Sequence, residues 1–183
     1  AHLAQAGMER VVGDRMGMLA TVMNGLALND FLQRRGIASR LFSAMPMAGM
    51  VEGYQRDLAQ TAIANGEVVI LTGGTGNPFF TTDTAACLRG VELGVDAILK
   101  ATNVDGVYSA DPKKDAAARR FEHISYQQVL AQELAVMDLT AIVLCKENAL
   151  PLIVFDASES RTLTRLAAGE QIGTRVDDLE ALD

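Results

Sequence analysis

A loop rich in glycine, threonine and phenylalanine, Leu71-Thr-Gly-Gly-Thr-Gly-Asn-Pro-Phe-Phe-Thr-Thr-Asp83, has the residue types that bind a polar, anionic small molecule. Its glycines let the backbone approach a ligand closely, and its threonine hydroxyls can donate and accept hydrogen bonds. The residues before it, Val68–Leu71, have the length and β-branched content of a central parallel strand. After it, Thr82 or Asp83 is predicted to cap a helix over Thr84–Gly90, whose first backbone N–H groups attract anions.

The spacing of this loop excludes two common phosphate-binding motifs. Asn77 and Pro78 follow Gly76, where a Walker A loop needs Lys and then Ser or Thr. Phe79 occupies the third glycine position of a dinucleotide-binding fingerprint. A plain tight turn is the alternative to a ligand site. The pair Phe79 and Phe80 favours the site, because a turn without a role rarely exposes two adjacent phenylalanines.

A second polar loop, Lys100–Pro112, follows a predicted strand over Val95–Leu99. Four of its side chains suit a nucleotide: Thr102, Asn103, Tyr108 and Asp111. The tyrosine ring can lie along a purine, and the other three can contact polar edges. A surface turn is the alternative, because Asp-Gly and Asp-Pro pairs are common in turns. Ligands of open α/β sheets sit beyond the carboxyl ends of strands, so we expect the two loops to face one crevice.

Asp14 stands just before a predicted long helix, Arg15–Gln33. It either caps this helix, contributing on the order of 1 kcal/mol, or accepts hydrogen bonds from a ribose diol, and the residues alone favour the cap. Apolar residues recurring at three and four positions predict the buried face: Met16, Leu19, Ala20, Met23, Leu26, Ala27 and Phe31. The other face would allow close packing of a helix from this chain or from another subunit: Gly17, Thr21, Asn24, Gly25 and Leu28.

The remaining elements alternate between strands and helices, which indicates a mainly parallel sheet covered by helices on both faces. Strands are predicted at Ile37–Phe42 and Leu152–Phe155. Helices are predicted at Glu52–Asn65, Tyr126–Glu133, Asp138–Asn148 and Ser160–Ala168.

Composition narrows the class of protein. The 183 residues fit one domain, and the net charge of -7 without a Lys/Arg cluster argues against a nucleic-acid or anionic-membrane partner. Cys87 and Cys145 lie in apolar helical contexts, which favours reduced thiols over a disulfide or a metal site. His2 and His123 have no metal-ligand spacing. We therefore expect a cytoplasmic protein with no metal site of its own.

Four segments, in order and at matching spacing, resemble the bacterial UMP kinases (uridylate kinases) of the amino-acid kinase superfamily. They are residues 11–27 (VVGDRMGMLATVMNGLA), 74–83 (GTGNPFFTTD), 100–112 (KATNVDGVYSADP) and 136–141 (VMDLTA). The resemblance implies a three-layer α/β/α sandwich with a mainly parallel open sheet. It also implies transfer of the γ-phosphoryl group of ATP, with Mg²⁺, to UMP, giving UDP and ADP. The implied assembly is a homohexamer, a trimer of dimers, with the long helix in the dimer contact.

The resemblance assigns roles residue by residue. Asp14 matches the position that binds the UMP ribose, and the loop around UMP corresponds to Thr75, Gly76, Asn77, Pro78, Phe79, Phe80, Thr81 and Thr82. The ATP-binding positions correspond to Thr102, Asn103, Tyr108 and Asp111. Asp83 and Asp138 are candidate catalytic residues that could organise phosphate-binding groups or a metal through water, although capping a helix explains Asp83 nearly as well. Lys100 either contacts phosphate or is solvated.

Two parts of the family pattern do not occur in these 183 residues: a first strand with a Lys-Leu-Ser-Gly type motif, and a Gly-Gly-Gly-Asn-Xaa-Xaa-Arg-Gly loop. Ala1 falls just after the place where that Arg-Gly would end. In the family these parts supply the lysine and glycines that hold the transferring phosphoryl group and the arginine that grips the UMP phosphate. Phosphoryl transfer consists mostly of positioning and charge neutralisation, so we expect a chain without them to be nearly inactive. The expected organisation is one amino-acid kinase domain over residues 1–183, truncated at its N-terminus.

Two other functions stay open from the residues. One is a non-catalytic nucleotide-binding module, and the other is an amino-acid kinase acting on a carboxylate or carbamate. Asp14 together with the loop after Leu71 weighs against the latter, because these groups suit a ribonucleotide. The family resemblance also suggests GTP and UTP as effectors, but the sequence does not place the basic side chains that such a site needs.

Overall fold

The computed structural model describes residues 7–112 and 114–178. The chain divides into two compact units, Ala1–Leu93 and Gly94–Asp183. None of the helices in the described part is both long and apolar enough to cross a membrane.

The first unit holds a three-stranded parallel sheet with strand order β2-β1-β3. Its elements are α1 (Arg10–Arg34), β1 (Ser39–Ser43), β2 (Glu52–Gly53), α2 (Arg56–Ala64), β3 (Val68–Thr72) and α3 (Thr82–Leu93). The predicted parallel strand before the glycine-rich loop is confirmed as β3. The prediction that this strand is central in its sheet is wrong for the described residues. There β3 is an edge strand, because it pairs only with β1.

The second unit holds a four-stranded sheet with strand order β4-β6-β7-β5. Its elements are β4 (Ile98–Thr102), β5 (His123–Ile124), α4 (Tyr126–Ala131), α5 (Leu139–Glu147), β6 (Leu152–Asp156), α6 (Thr162–Ala167) and β7 (Thr174–Val176). The β4/β6 and β5/β7 pairs are parallel, and the β6/β7 pair is antiparallel. The expected α/β class with mainly parallel open sheets is therefore confirmed.

Helix α1 packs on its sheet through the face opposite to the predicted one. Its buried residues are Met18, Val22 and Gly25. A Cβ atom on Gly25 would overlap Thr72 Cγ2 and lie 2.9 Å from Leu41 Cδ1, so the helix needs glycine there to lie this close to the strands. A buried apolar cluster joins the helix to the sheet: Val22, Leu41, Val51 and Ile70. Gly25 of α1 thus packs on strands of the same unit.

The face of α1 that was predicted to be buried is exposed. It carries five large apolar residues, Met16, Leu19, Met23, Leu26 and Phe31, and we call it the exposed apolar face of α1. Met23 is 70% exposed. Apolar residues occur on both sides of this helix, so their periodicity alone selected the wrong side.

Several predicted boundaries also need correction. Strand β1 begins at Ser39 instead of Ile37, and Glu52 begins strand β2 instead of a helix, with α2 starting only at Arg56. The short strands β2, β5 and β7 were missed, because two or three residues are too few to display an alternating pattern. Cys87 and Cys145 are buried and are not joined in a disulfide bond.

Candidate functional site

The glycine-rich loop, which we call loop 73–81, is tied to helix α1 at two points. The Gly73 N–H donates to Thr21 Oγ1 at 2.8 Å, and the Phe79 N–H donates to Asp14 Oδ2 at 2.7 Å. Asp14 and Thr21 are seven residues apart, about two helical turns, so they lie on the same face of α1. One helix face therefore fixes both the start and the later part of the loop.

The position of Asp14 overturns its predicted role as a helix cap. Helix α1 begins at Arg10, after the N-cap residue Glu9, which places Asp14 inside the helix. The carboxylate lies 3.5 Å from Arg10 Nε, and the Arg10 guanidinium lies 5.2 Å from the centre of the Phe79 ring. Asp14, Arg10 and Phe79 thus form one cluster at the loop. Of the two roles predicted for Asp14, the contact to a ligand stays a hypothesis.

The first residue of loop 73–81 has to be a glycine. Gly73 has a φ of +77°, and a Cβ atom there would lie 2.8 Å from Ser43 Oγ and 3.1 Å from the Ala44 nitrogen. A side chain at this position would collide with the end of β1. The loop can therefore leave β3 close to the neighbouring strand.

Hydrogen bonds within the loop organise its middle. The Gly76 N–H donates to the Gly73 carbonyl at 3.0 Å, which closes a tight turn. The Thr75 hydroxyl accepts from the Asn77 N–H and donates to the Asn77 carbonyl, both at 3.1 Å. Thr75 thus shapes the loop, in addition to its predicted role towards a ligand.

Phe79 and Phe80 are exposed at the end of this loop, as predicted, by 61% and 50%. Phe79 has a φ of +73°, a conformation that non-glycine residues rarely adopt. Such strain concentrates at functional sites, where the surrounding structure holds it. Here the bond from the Phe79 N–H to Asp14 contributes that support.

The start of α3 differs from the prediction. The helix begins at Thr82, and the Thr81 hydroxyl accepts from the Thr84 N–H at 3.1 Å. Thr81 therefore caps the helix, and neither Thr82 nor Asp83 does. Asp83 lies in the first helical turn, where a negative charge interacts favourably with the helix dipole.

In the second unit, Thr102 and Tyr108 shape the other predicted loop, which we call loop 103–121. Thr102 ends β4, and its hydroxyl accepts from the Val104 N–H at 3.0 Å and donates to the Val104 carbonyl at 2.7 Å. The Tyr108 hydroxyl donates to Asp105 Oδ1 at 2.8 Å, and this hydrogen bond raises the pKa of the phenol. Asp105, a residue of the same loop, therefore holds the ring of Tyr108.

The two arms of loop 103–121 pair with each other. Tyr108 and Arg120 form an antiparallel bridge. The Ser109 N–H donates to the Arg119 carbonyl at 3.0 Å, and the Phe121 N–H donates to the Val107 carbonyl at 2.9 Å. The loop is thus closed at its base, on either side of Tyr108.

The other predicted nucleotide contacts of this unit lie around the same loop and before α5. Asn103 and Asp111 are exposed, and Asp111 Oδ2 lies 3.6 Å from Lys114 Nζ. Lys100 lies within β4, and its ammonium donates to the Val136 carbonyl at 2.8 Å, so it is not simply solvated. Asp138 is the N-cap of α5 and accepts from the Ala141 N–H at 3.1 Å.

Two residues of this site in the first unit, Thr21 and Arg10, were not predicted from the sequence. A signal existed for Thr21, since it lies two turns from Asp14 on one helix face. Arg10 carried no such signal, because it was placed before the helix. Among residues 7–112 and 114–178, no group of three or more His, Cys, Asp or Glu side chains could hold a metal ion.

Known proteins resemble the chain over most of its length. The model of the amino acid kinase family matches residues 2–156. A uridylate kinase of Legionella pneumophila (strain Corby) is 56% identical over 174 residues, which cover 95% of this chain and 71% of that protein. A uridylate kinase of Marinobacter nauticus is 55% identical over 177 residues, 97% of this chain and 73% of that protein.

Solved structures agree with these relatives. The UMP kinase of Bacillus anthracis superposes with a TM-score of 0.94 at 36% identity, over 98% of this chain and 75% of that one. The UMP kinase of Ureaplasma parvum superposes with a TM-score of 0.91, also at 36% identity, over 96% and 75%. The chain therefore belongs to the amino acid kinase family. Within this family, the predicted resemblance to bacterial UMP kinases is confirmed by these four proteins.

Proposed function

We propose that the chain is a UMP kinase, which transfers the γ-phosphoryl group of ATP to UMP and releases UDP and ADP. The names of the relatives support this function. The structural observation that carries it is the hydrogen bond from the Phe79 N–H to Asp14. It brings the carboxylate proposed for the ribose to the loop proposed for the acceptor nucleotide, 65 residues further along the chain.

On the acceptor side, Asp14 is proposed to bind the ribose hydroxyls. Its described contacts with Phe79 and Arg10 both use Oδ2. An ionised carboxylate offers about four lone-pair positions, so Oδ1 can accept from a diol while Oδ2 holds the loop. The exposed rings of Phe79 and Phe80 offer apolar surface to a base. The rest of the proposed UMP loop extends from Thr75 to Thr82.

On the donor side, the proposed ATP contacts are Thr102, Asn103, Tyr108 and Asp111. The Tyr108 ring is held by Asp105 and is suited to lie along the adenine. The Lys100 ammonium donates to the carbonyl of Val136, two residues before Asp138, and Asp138 caps α5. Lys100 is proposed to contact a phosphate group, and Asp138 to organise phosphate-binding groups or the metal through water.

Mg²⁺ is proposed to arrive with ATP. Magnesium keeps several waters and is usually held by one or two carboxylates together with substrate phosphates. When bound, the ion neutralises charge on the transferring phosphoryl group. Asp83 and Asp138 are the carboxylates proposed to orient it through water.

The decisive test of the proposed reaction is UMP-dependent formation of ADP from ATP in a coupled assay. It should be run on the 183-residue chain and on the product of the same reading frame extended upstream of Ala1. UMP-dependent ADP formation is expected of the extended form, and little or none is expected of the 183-residue chain. ADP formation that requires a carbamate or carboxylate acceptor would overturn the assignment, and so would nucleotide binding without turnover by the extended form.

We also propose that the protein forms a homohexamer, a trimer of dimers. The exposed apolar face of α1 supports a dimer contact there, because large contiguous apolar surfaces on soluble proteins mark interaction sites. A cytoplasmic location is proposed from the two buried thiols, which form no disulfide bond, and from the family. GTP and UTP are proposed as effectors on the family resemblance alone.

The proposed oligomer is tested by measuring the molecular mass of the protein in solution. Met23→Glu places a charge on the exposed apolar face of α1 and should lower the mass measured by light scattering below that of a hexamer. Leu163→Glu is a matched control, because Leu163 on α6 is 59% exposed and lies in the other unit. An oligomer that survives Met23→Glu would place the contact elsewhere.

A further inference from the structure

Thr174 of strand β7 is a buried hydroxyl that contacts both arms of loop 103–121. The side chain is fully buried. Its Oγ1 accepts from the Val107 N–H at 2.8 Å and donates to the Phe121 carbonyl. Val107 and Phe121 flank Tyr108 and its bridge partner Arg120, so one hydroxyl joins the base of the loop to the sheet.

A second contact brings the same loop against Thr174. A Cβ atom on Gly106 would overlap Thr174 Oγ1 and lie 3.0 Å from Arg120 Cδ. Gly106 is itself buried. The backbone just before Tyr108 therefore lies directly on the threonine, and only glycine fits there.

Strand β7 is a rigid support for this contact. It pairs with β6 on one side and with β5 on the other. Directly after it, the buried Asp177 carboxylate lies 2.8 Å from His123 Nε2 and also pairs with Arg175. A group on such a strand holds a loop more accurately than a group on another loop does.

We infer that Thr174 is a positioning residue for the donor nucleotide, acting through Val107 and Phe121 on the ring of Tyr108. The inference rests on the proposed function, in which Tyr108 contacts ATP. Threonine suits this role because its hydroxyl supplies one donor and an acceptor at the same buried point. Valine has the same shape, but it would leave an N–H and a carbonyl without this partner and would release the base of the loop.

The experiment compares Thr174→Val with Thr174→Ser and with a matched control, Thr162→Val. Thr162 is also buried in the same unit, and its hydroxyl donates only locally, to the Glu159 carbonyl at 3.2 Å. Dissociation constants for ATP and UMP are measured for each variant. Thr174→Val should weaken ATP binding about tenfold, which corresponds to about 1.4 kcal/mol, and leave UMP binding within about twofold. Thr174→Ser should restore ATP binding, and Thr162→Val should not affect it selectively.

Equal losses for ATP and UMP in Thr174→Val would overturn the inference, as would the same ATP loss in Thr162→Val. If Thr174→Val does not fold by circular dichroism, Gly106→Ala tests the same contact from the loop side. It should weaken ATP binding and spare UMP, and unchanged ATP binding would overturn the inference. A parent chain that binds no ATP would instead refute the proposed function, which separates the two failures.

Discussion

Loop 73–81 and loop 103–121 are stabilised in different ways. The first is tied to helix α1 by residues more than fifty positions earlier in the chain, with Thr21 bonded to the start of the loop and Asp14 bonded near its end. The second is closed by pairs between its own arms, including the bridge between Tyr108 and Arg120, and is joined to the sheet by Thr174. In the first loop, a proposed ligand-binding side chain is also a support of the loop. In the second, the support and the proposed ligand-binding ring are different residues.

Because the two loops are supported differently, mutations in them should have different effects. Substituting Asp14 changes a proposed ligand-binding group and a support of its loop together, whereas substituting Tyr108 removes a ring and leaves the pairing of the arms in place. We therefore expect larger effects in the first unit than in the second.

The largest expected effect is that of Asp14→Asn on UMP binding. Loss of a charged acceptor should weaken UMP binding by about 1.5–3 kcal/mol, the range for hydrogen bonds to charged groups. ATP binding should change little. Asp30→Asn is a matched control, because Asp30 also forms an ion pair at four residues' separation on α1, with Arg34. Unchanged UMP affinity in Asp14→Asn would refute the ribose assignment.

The next effect concerns the packing that places Asp14. Gly25→Ala inserts a methyl group against Thr72 and Leu41, and overpacking of this kind should lower the free energy of unfolding by about 1–3 kcal/mol. Urea denaturation measures it. Gly17→Ala on the same helix has open space and should stabilise by up to about 1 kcal/mol through helix propensity. Similar values for the two variants would contradict the close packing of α1 on the sheet.

A smaller effect is expected for Tyr108→Ala. Loss of the ring should raise the Michaelis constant for ATP by an amount equivalent to about 0.5–1.5 kcal/mol, and that for UMP by less. Tyr108→Phe keeps the ring and loses only the hydroxyl bonded to Asp105, so it should behave more like the parent. A larger change for UMP than for ATP would mean that the two loops were assigned to the wrong nucleotides.

The smallest effect is a pH dependence at the end of β7. Burial raises the pKa of the Asp177 carboxyl, but hydrogen bonds and charges from His123 and Arg175 lower it more, so it lies below the ordinary 3.8. The carboxylate's contribution to stability is therefore fully present above pH 3.8 and is lost as the pH falls from 3.8 towards the folded-state pKa.

Denaturation curves between about pH 3 and 5 test this sign. The difference in free energy of unfolding between the parent and Asp177→Asn should shrink as the pH falls through this range. Asp178→Asn, at the exposed neighbouring position, should follow the parent. A difference in free energy of unfolding that grows on acidification would contradict the lowered pKa of Asp177.

Predictions from sequence were accurate where the signal was local. The strand Val68–Thr72, the loop after it and the helix that follows were recognised from β-branched residues, glycines and a capping hydroxyl within a short segment. The cap itself was placed one or two residues too late, because Thr81, Thr82 and Asp83 are all good capping residues. The strand Thr174–Val176 was missed, and with it the partner of loop 103–121.

Predictions failed where distant segments decide the outcome. Helix α1 has apolar residues on two sides, so its periodicity did not reveal that Gly25 faces the strands while Met23 faces outward. The cap assigned to Asp14 failed for a related reason. The helix begins at Arg10, five residues before the predicted start at Arg15, and the sequence carries no strong start signal there.

The sequence by itself determined which chemistry is available: the strand, loop and helix order, the residue types of both loops, and the family to which they belong. Only the tertiary structure decided which residues act together. It brought Asp14 to Phe79 and Thr174 to Val107, across 65 and 67 residues of chain. The physical reason is that each of these contacts depends on how closely a helix or a strand can approach its neighbouring segment. Gly25 and Gly106 permit the close approach, but only the folded chain brings their partners, Thr72 and Thr174, against them.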